Sequence, residues 1–306
     1  MRQIWNAAIL AVGLTVGGNV GGAEPIPGVG PTGHVVKVQG DFQFLEGPVA
    51  DGEGTLYFTD IPADTIYRAT LAADGKATIE PFVTPSGHAN GLMIRDGKLL
   101  ACQMDGQVVA IDLTTKVVTP VAEKHDGHRF NAPNDLVTDE AGGVYFTDPA
   151  FRAPMPLPQG TTGVYYVRKD GRVTRLIDDL ANPNGVILSP DGKTLYVIPS
   201  GSKTMMQYPV EAPGKLGRGK PFCDLKQAEG VDNGGGDGLT VDTKGNLYIT
   251  SRLGVQVVSP EGKHLGTIAF PEQPANCTFA GPGKKVLFAT CRTGLYMVPT
   301  EATGAR

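Results

Sequence analysis

The sequence predicts an all-β fold, a six-bladed β-propeller closed by an N-terminal strand, and three observations point there. The chain has 306 residues with 42 Gly and 24 Pro, a share well above the usual one of about twelve per cent, so turns are frequent and elements short. A turn followed by a β-rich run recurs six times, at residues 55–60, 98–102, 143–148, 194–197, 246–250 and 285–290. With Tyr57, Leu100, Tyr145, Tyr196, Tyr248 and Leu287 placed in register, the spacings are 43, 45, 51, 52 and 39 residues. That is the length of a four-stranded propeller blade, whereas solenoids keep stricter periods.

Taken in chain order, residues 1–23 read as a secretory signal. Arg2 precedes an apolar stretch over 7–16, and Gly21, Gly22 and Ala23 supply small residues before a cleavage point. The stretch is shorter than the roughly twenty apolar residues of a membrane span, an uncleaved N-terminal anchor being the alternative to cleavage, and no later segment is a candidate. Residues 24–306 are expected to form one propeller. Each repeat divides into short alternating or apolar runs separated by Gly, Asp, Asn or Pro; in the third these are 135–138, 144–147, 163–168 and 173–177. The sixth has only three runs, while an unassigned run at 34–38 precedes the first blade. That run is expected to close the ring as the sixth blade's fourth strand, removing the open edges that invite aggregation.

Charge and cysteine usage narrow the function classes. The 27 Lys and Arg against 31 Asp and Glu give a net charge of −4, with no electrostatic footprint for a nucleic acid. Loss of the leader removes Arg2 and no acid, so the exported chain is slightly more acidic, with no membrane partner. Cys102, Cys223, Cys277 and Cys291 are too few and scattered for a disulfide framework and form no Cys-x-x-Cys zinc pattern. Export permits a bridge between Cys277 and Cys291, near each other across one hairpin; buried free thiols are the simpler expectation.

The repeat alignment also superposes the residues that open each innermost strand: Glu46, Asn90, Asn134, Asn184, Asp237 and Asn276. Inner strands line the central channel, so these six side chains are expected to converge at one mouth. Asn or Asp before Gly is an ordinary turn signal, which accounts for Asn90-Gly91, Asn184-Gly185 and Asp237-Gly238 but not for Glu46. Two carboxylates crowded among amide oxygens suit a hard divalent cation that relieves their repulsion. Calcium is the first choice, with magnesium, manganese or zinc as alternatives. The longest insertions, at 149–162 and 226–236, fall at the same mouth and are expected to wall it; Gly234, Gly235 and Gly236 suit close backbone approach to the axis.

These residues carry a resemblance. The segments Glu46-Gly47-Pro48 with Leu56-Tyr57-Phe58-Thr59-Asp60, Asn131-Ala132-Pro133-Asn134-Asp135-Leu136-Val137 with Tyr145-Phe146-Thr147-Asp148-Pro149, Asn182-Pro183-Asn184-Gly185-Val186, and Gly236-Asp237-Gly238-Leu239 are similar to the senescence marker protein, gluconolactonase and luciferin-regenerating enzyme family. The likeness covers nearly all of residues 40–300. It implies a divalent cation held by Glu46, Asn184 and Asp237, with Asn134 contacting substrate or metal, and hydrolysis of a sugar lactone or related cyclic ester. In that reading the cation polarises the lactone carbonyl and activates a water, and Asp237 takes the water's proton. Arg129 and Asn90 are further candidates for holding substrate. His88 reads as a surface-loop histidine, an acid or base near the rim being its alternative, and Asp60, Asp148, Arg252 and Arg292 read equally as site or salt-bridge residues. Met104 departs from the pattern, because many relatives carry a charged residue on that wall.

Two other functions compete with a small-molecule lactonase. One is a non-catalytic binding propeller in which calcium ties the blades together. The other is a lyase, or another cyclic-ester hydrolase, working from the same site. Fold alone does not separate them, since propellers host all three.

Overall fold

The structure, a computed structural model, describes residues 25–52, 54–71 and 77–306. The leader expected over 1–23 lies outside them. Apart from one 3-10 turn at Pro282–Lys284, every regular element among the described residues is a strand, and no helix there is long and apolar enough to cross a membrane.

Six antiparallel blades follow one another, with a two-stranded ribbon of Lys124–His125 and His128–Arg129 between the second and third. Blade one is Leu45–Ala50, Thr55–Asp60, Thr65–Leu71 and Ala77–Val83, and blade two is Ala89–Arg95, Lys98–Gln103, Gln107–Asp112 and Val118–Ala122. Blade three comprises Leu136–Thr138, Val144–Asp148, Gly163–Val167 and Val173–Ile177. Blade four comprises Pro183–Leu188, Thr194–Pro199, Thr204–Ala212 and Lys220–Asp224, with a short extra strand at Lys215–Leu216. Blade five is Leu239–Val241, Leu247–Ser251, Gly254–Val258 and His264–Ile268; blade six is Pro274–Ala280, Val286–Cys291 and Gly294–Pro299. The innermost strands touch in cyclic order, the first against the sixth as well as the second, so the blades form a ring.

The ring closes as the spacing predicts. Val36–Gln39 pairs antiparallel with Gly294–Pro299, setting Val36 opposite Met297 and Lys37 opposite Tyr296; it begins two residues later than the expected run at 34–38. Closure gives the last blade a fourth strand taken from the start of the chain, which covers an otherwise open edge.

Packing between blades explains the six-fold repeat. Tyr57, Leu100, Tyr145, Tyr196, Tyr248 and Leu287, the residues that set the period, are all buried in second strands. They stand between neighbouring sheets within apolar clusters; the largest runs through blades three, four and five. A buried tyrosine also needs a partner for its hydroxyl. Tyr145 accepts the Gly214 amide at 3.0 Å and Tyr248 donates to Asp242 at 3.1 Å.

All four cysteines are free, with Cys102, Cys277 and Cys291 buried. Cys291 sits opposite Pro274 and Cys277 opposite Ala289, so the hairpin does not set the two thiols across from each other. Burial raises both thiols well above the usual range, which makes them inert packing groups.

Candidate functional site

Each blade breaks its ladder where the inner strand meets the axis. Register shifts follow Glu46, Ala89, Pro183 and Pro274 in blades one, two, four and six. In blades three and five the regular strand begins only after the axial residue, at Leu136 and Leu239. Such irregularities re-aim a side chain that the pleat would otherwise place on a sheet face. Glu46, Asn90, Asn134, Asn184 and Asn276 are buried polar residues at these positions, and Asp237 keeps partial exposure.

Backbone bonds run from one axial residue to the next. The Gly91 amide donates to the Asn134 carbonyl at 2.7 Å, Gly185 to Asp237 at 3.0 Å and Gly238 to Ala275 at 2.8 Å. Threonines on the second strands reinforce the ring, Thr59 donating to the Asn90 carbonyl at 3.0 Å, Thr147 to Asn184 at 2.8 Å and Thr250 to Ala275 at 2.7 Å. This corrects the turn reading of the Asn-Gly and Asp-Gly pairs. Gly91 and Gly185 lie within strands, and what they supply is the missing Cβ: one at Gly185 would come within 2.6 Å of the Asp237 carbonyl, and one at Gly91 within 2.7 Å of the Asn134 carbonyl.

The side chains form a linked set. The Asn184 amide nitrogen donates to Asp237 Oδ1 at 2.8 Å and to Ser200 Oγ at 2.9 Å, which uses both its N–H groups and leaves its oxygen as an acceptor. Glu46 Oε2 accepts the Gly47 amide at 3.1 Å, and Asn276 Oδ1 accepts the Cys277 amide at 2.8 Å. Asn90 donates only weakly, to Met104 Sδ at 3.9 Å.

The acids here resist ionisation. Burial foremost, then the charge of Asp237, raises the Glu46 carboxyl well above the ordinary range despite the Gly47 amide. Asp237 is pushed up to about 6, burial outweighing the Asn184 hydrogen bond and the field of Arg292. No Lys or Arg of the described residues lies within salt-bridge distance of either. Beneath the ring is a cavity of about 400 Å³ lined in part by Gly47, Asp135, Val186 and Leu239. Asp135, not among the expected site residues, accepts the Leu136 and Val186 amides and is raised to about 7 by burial. Its signal was present in the Asn134-Asp135 pair, but only the fold tells which of the two faces the mouth and which the channel.

The donor set fits a divalent cation of hard type. Two uncompensated carboxylates and several amides offer oxygen without imidazole or thiolate. Among the described residues no three His, Cys, Asp or Glu side chains gather into a cage, so a cation here needs the amide of Asn184 beside Glu46 and Asp237.

The rim candidates resolve differently. Asp60 accepts the Gln43 and Phe44 amides at 2.9 and 3.1 Å, and Asp148 accepts those of Asn131 and Ala132 at 2.9 and 2.8 Å. Neither has a salt-bridge partner among the described residues; both tie the segment leading to an inner strand onto the second strand of the same blade. Arg129 is exposed at the rim, its guanidinium held by the carbonyls of Phe130 and Asn131 at 2.9 and 3.0 Å. His88 pairs with Asp105 at 3.0 Å, Arg252 is exposed, and Arg292 stacks 5.1 Å from the Phe44 ring centre. Of the Gly triplet, Gly235 comes close to the Pro199 and Ser200 carbonyls and Gly236 to that of Thr250, an approach to neighbouring backbone at the mouth instead of to the axis itself.

Comparison with known proteins agrees with this architecture. Residues 44–293 match the SMP-30/Gluconolactonase/LRE-like region. The chain is 31% identical over 303 residues to a gluconolactonase of Zymomonas mobilis, covering 87% of this chain and 81% of that one. A solved gluconolactonase of Xanthomonas campestris superposes with a TM-score of 0.78 at 26% identity, covering 87% and 89%. A calcium-binding protein, regucalcin, from Agrobacterium tumefaciens superposes at 0.73 with 25% identity, covering 93% and 97%. The chain belongs to the SMP-30/gluconolactonase/LRE-like family.

Proposed function

We propose that this family member is an exported lactonase that opens a cyclic ester by adding water, with a divalent cation, calcium by preference, held by Glu46, Asn184 and Asp237. The observation that carries the reading is the pair of axial carboxylates, Glu46 and Asp237, buried beside one another with no Lys or Arg of the described residues at salt-bridge distance and with Asp237 still reachable from the mouth. The lactonase names of the relatives and the calcium-binding name of one structural neighbour support it.

When bound, the cation supplies Lewis-acid polarisation of the lactone carbonyl. The chain's own groups do the rest. Asp237 would keep one carboxylate oxygen off the cation and with it accept a proton from the attacking water, the role of a general base. Asn184 fixes its orientation through the 2.8 Å hydrogen bond. Asn134 and Asn90 offer amide donors to the oxygens of the substrate, and Arg129 stands at the rim for an outer hydroxyl or carboxylate. As the ring C–O bond breaks, the proton on Asp237 passes to the departing oxygen, so that water has been added across the ester and a hydroxy acid leaves.

The test is proton release from a panel of sugar and aliphatic lactones by residues 24–306, after chelation and with calcium, magnesium, manganese or zinc restored. The expected result is metal-restored release with a hydroxy acid as product. An unsaturated product would mean elimination and a lyase. Intact lactones throughout, with calcium still raising the melting temperature, would make the chain a binding propeller.

A further inference from the structure

We propose that the lactone this site takes carries an apolar substituent, an alkyl or aryl group, in place of the hydroxyls of a sugar; the inference rests on the lactonase reading. The mouth holds an apolar sector inside a charged rim of His88, Asp105 and Arg129. Over blades one to three, Phe44, Ile61, Met104, Ala132, Phe151 and Ala153 form one apolar cluster. All lie at the mouth by topology: Phe44 and Ala132 precede inner strands, while Ile61, Met104, Phe151 and Ala153 lie on connections between second and third strands. Ile61 and Met104 are buried, and the Arg292 guanidinium lies over the Phe44 ring, whereas Phe151 remains partly exposed, leaving aromatic surface for a ligand to cover. Over blades four to six the mouth carries more hydrogen-bonding groups, with Ser200 against Asn184 and Gln273 against Arg292, and Leu253 as its exposed apolar residue.

Two further observations place the apolar half beside the reacting centre. Asn90, one of the axial residues, has Met104 Sδ as its side-chain neighbour at 3.9 Å, so this part of the ring is backed by a soft thioether with little hydrogen-bonding capacity. The connection over 149–162 carries Phe151, Met155 and Leu157 with Arg152 as its one charged residue, and Met155 is 79% exposed. Its ends are pinned, Ala150 donating to Asn182 Oδ1 and the Gln159 amide to Asn131 Oδ1, each at 3.0 Å. A pinned loop with an apolar centre makes a fixed wall. Hydroxyls of a sugar lactone set against Phe151, Met155 and Leu157 would find no side-chain partner, Arg129 and Arg152 serving the rim alone, whereas an alkyl chain loses nothing there. Discrimination of this kind runs from about ten- to two-hundredfold for each methylene buried.

The experiment compares kcat/KM for δ-decanolactone and glucono-δ-lactone with the cation restored, in the parent protein, Phe151→Ser and Met104→Gln. The parent is expected to favour δ-decanolactone by at least about tenfold, and each substitution to lower that ratio by about tenfold. Phe151 is partly exposed, so Phe151→Ser keeps the test alive if the buried Met104→Gln does not fold. A parent preference for glucono-δ-lactone, or a ratio unmoved by Phe151→Ser, overturns this inference and leaves the lactonase standing. Failure to open either lactone, or any other in the panel, overturns the lactonase and this inference with it.

Discussion

At the scale of single residues, the glycines beside the axis carry as much of the site as the acids do. A Cβ at Gly185 would lie 2.6 Å from the Asp237 carbonyl and from Leu239 Cδ2; the first is backbone and cannot swing away as a side-chain end can. Gly185→Ala is therefore expected to cost about 1–3 kcal/mol, the usual range for overpacking, and to lower kcat by displacing Asp237. Gly201→Ala is the control, since nothing lies within 4 Å of its Cβ position; its stability should stay within about 0.5 kcal/mol of the parent. Urea denaturation of the two variants checks the pair, and equal losses would show that close approach of the inner strands is not what Gly185 provides. Asp148 gives a second case. It accepts two backbone amides, so Asp148→Ala leaves two donors unsatisfied at about 1–3 kcal/mol each if no water enters.

At the scale of elements, the closing strand and the axial bulges decide whether the ring forms. Removing residues through Gln39 takes away the partner of Gly294–Pro299 and uncovers an edge bearing Leu295 and Met297. A chain beginning at Gly40 should melt several degrees lower than one beginning at Glu24 and form higher oligomers by light scattering; a monomer of unchanged melting temperature would refute the closure argument. This strand was legible in the sequence because an orphan run at the start matched a missing run at the end. The strand at Val173–Ile177 was legible to its last residue, bounded by Gly171 and by the acids that follow. The bulges were not, since a ladder slip depends on what the neighbouring strand offers. The same gap hid Asp135: alternation places it opposite Asn134, but whether that means the channel or the sheet requires the ring. It also hid Asp60 and Asp148 as amide acceptors, because the segments they hold lie 16 or 17 residues away in sequence.

At the scale of the whole molecule, buried acid on the axis makes stability depend on pH and cation together. Asp135 and Asp148 are raised to about 7 and Asp237 to about 6, each chiefly by burial, and Glu46 is raised as well. The unfolded chain releases these protons near pH 4 while the native one holds them, so between about pH 4 and 7 the native state binds more protons and stability falls as pH rises. Acids shifted the other way, among them Asp64, Asp112 and Glu272, act below that window. The chelated protein should thus lose melting temperature from pH 5 to pH 7.5, and calcium should restore more at the upper end; a chelated protein that gains stability over that range would contradict the burial argument. The central claim is that Glu46 and Asp237 form one catalytic centre with a divalent cation. It is tested most directly by proton release from the best lactone substrate after chelation and calcium restoration, in the parent, Glu46→Gln and Asp237→Asn. Calcium should restore the parent and leave both folded variants at least about a hundredfold slower. Full activity in the chelated parent, or calcium-restored turnover in Asp237→Asn within a few fold of the parent, would contradict it.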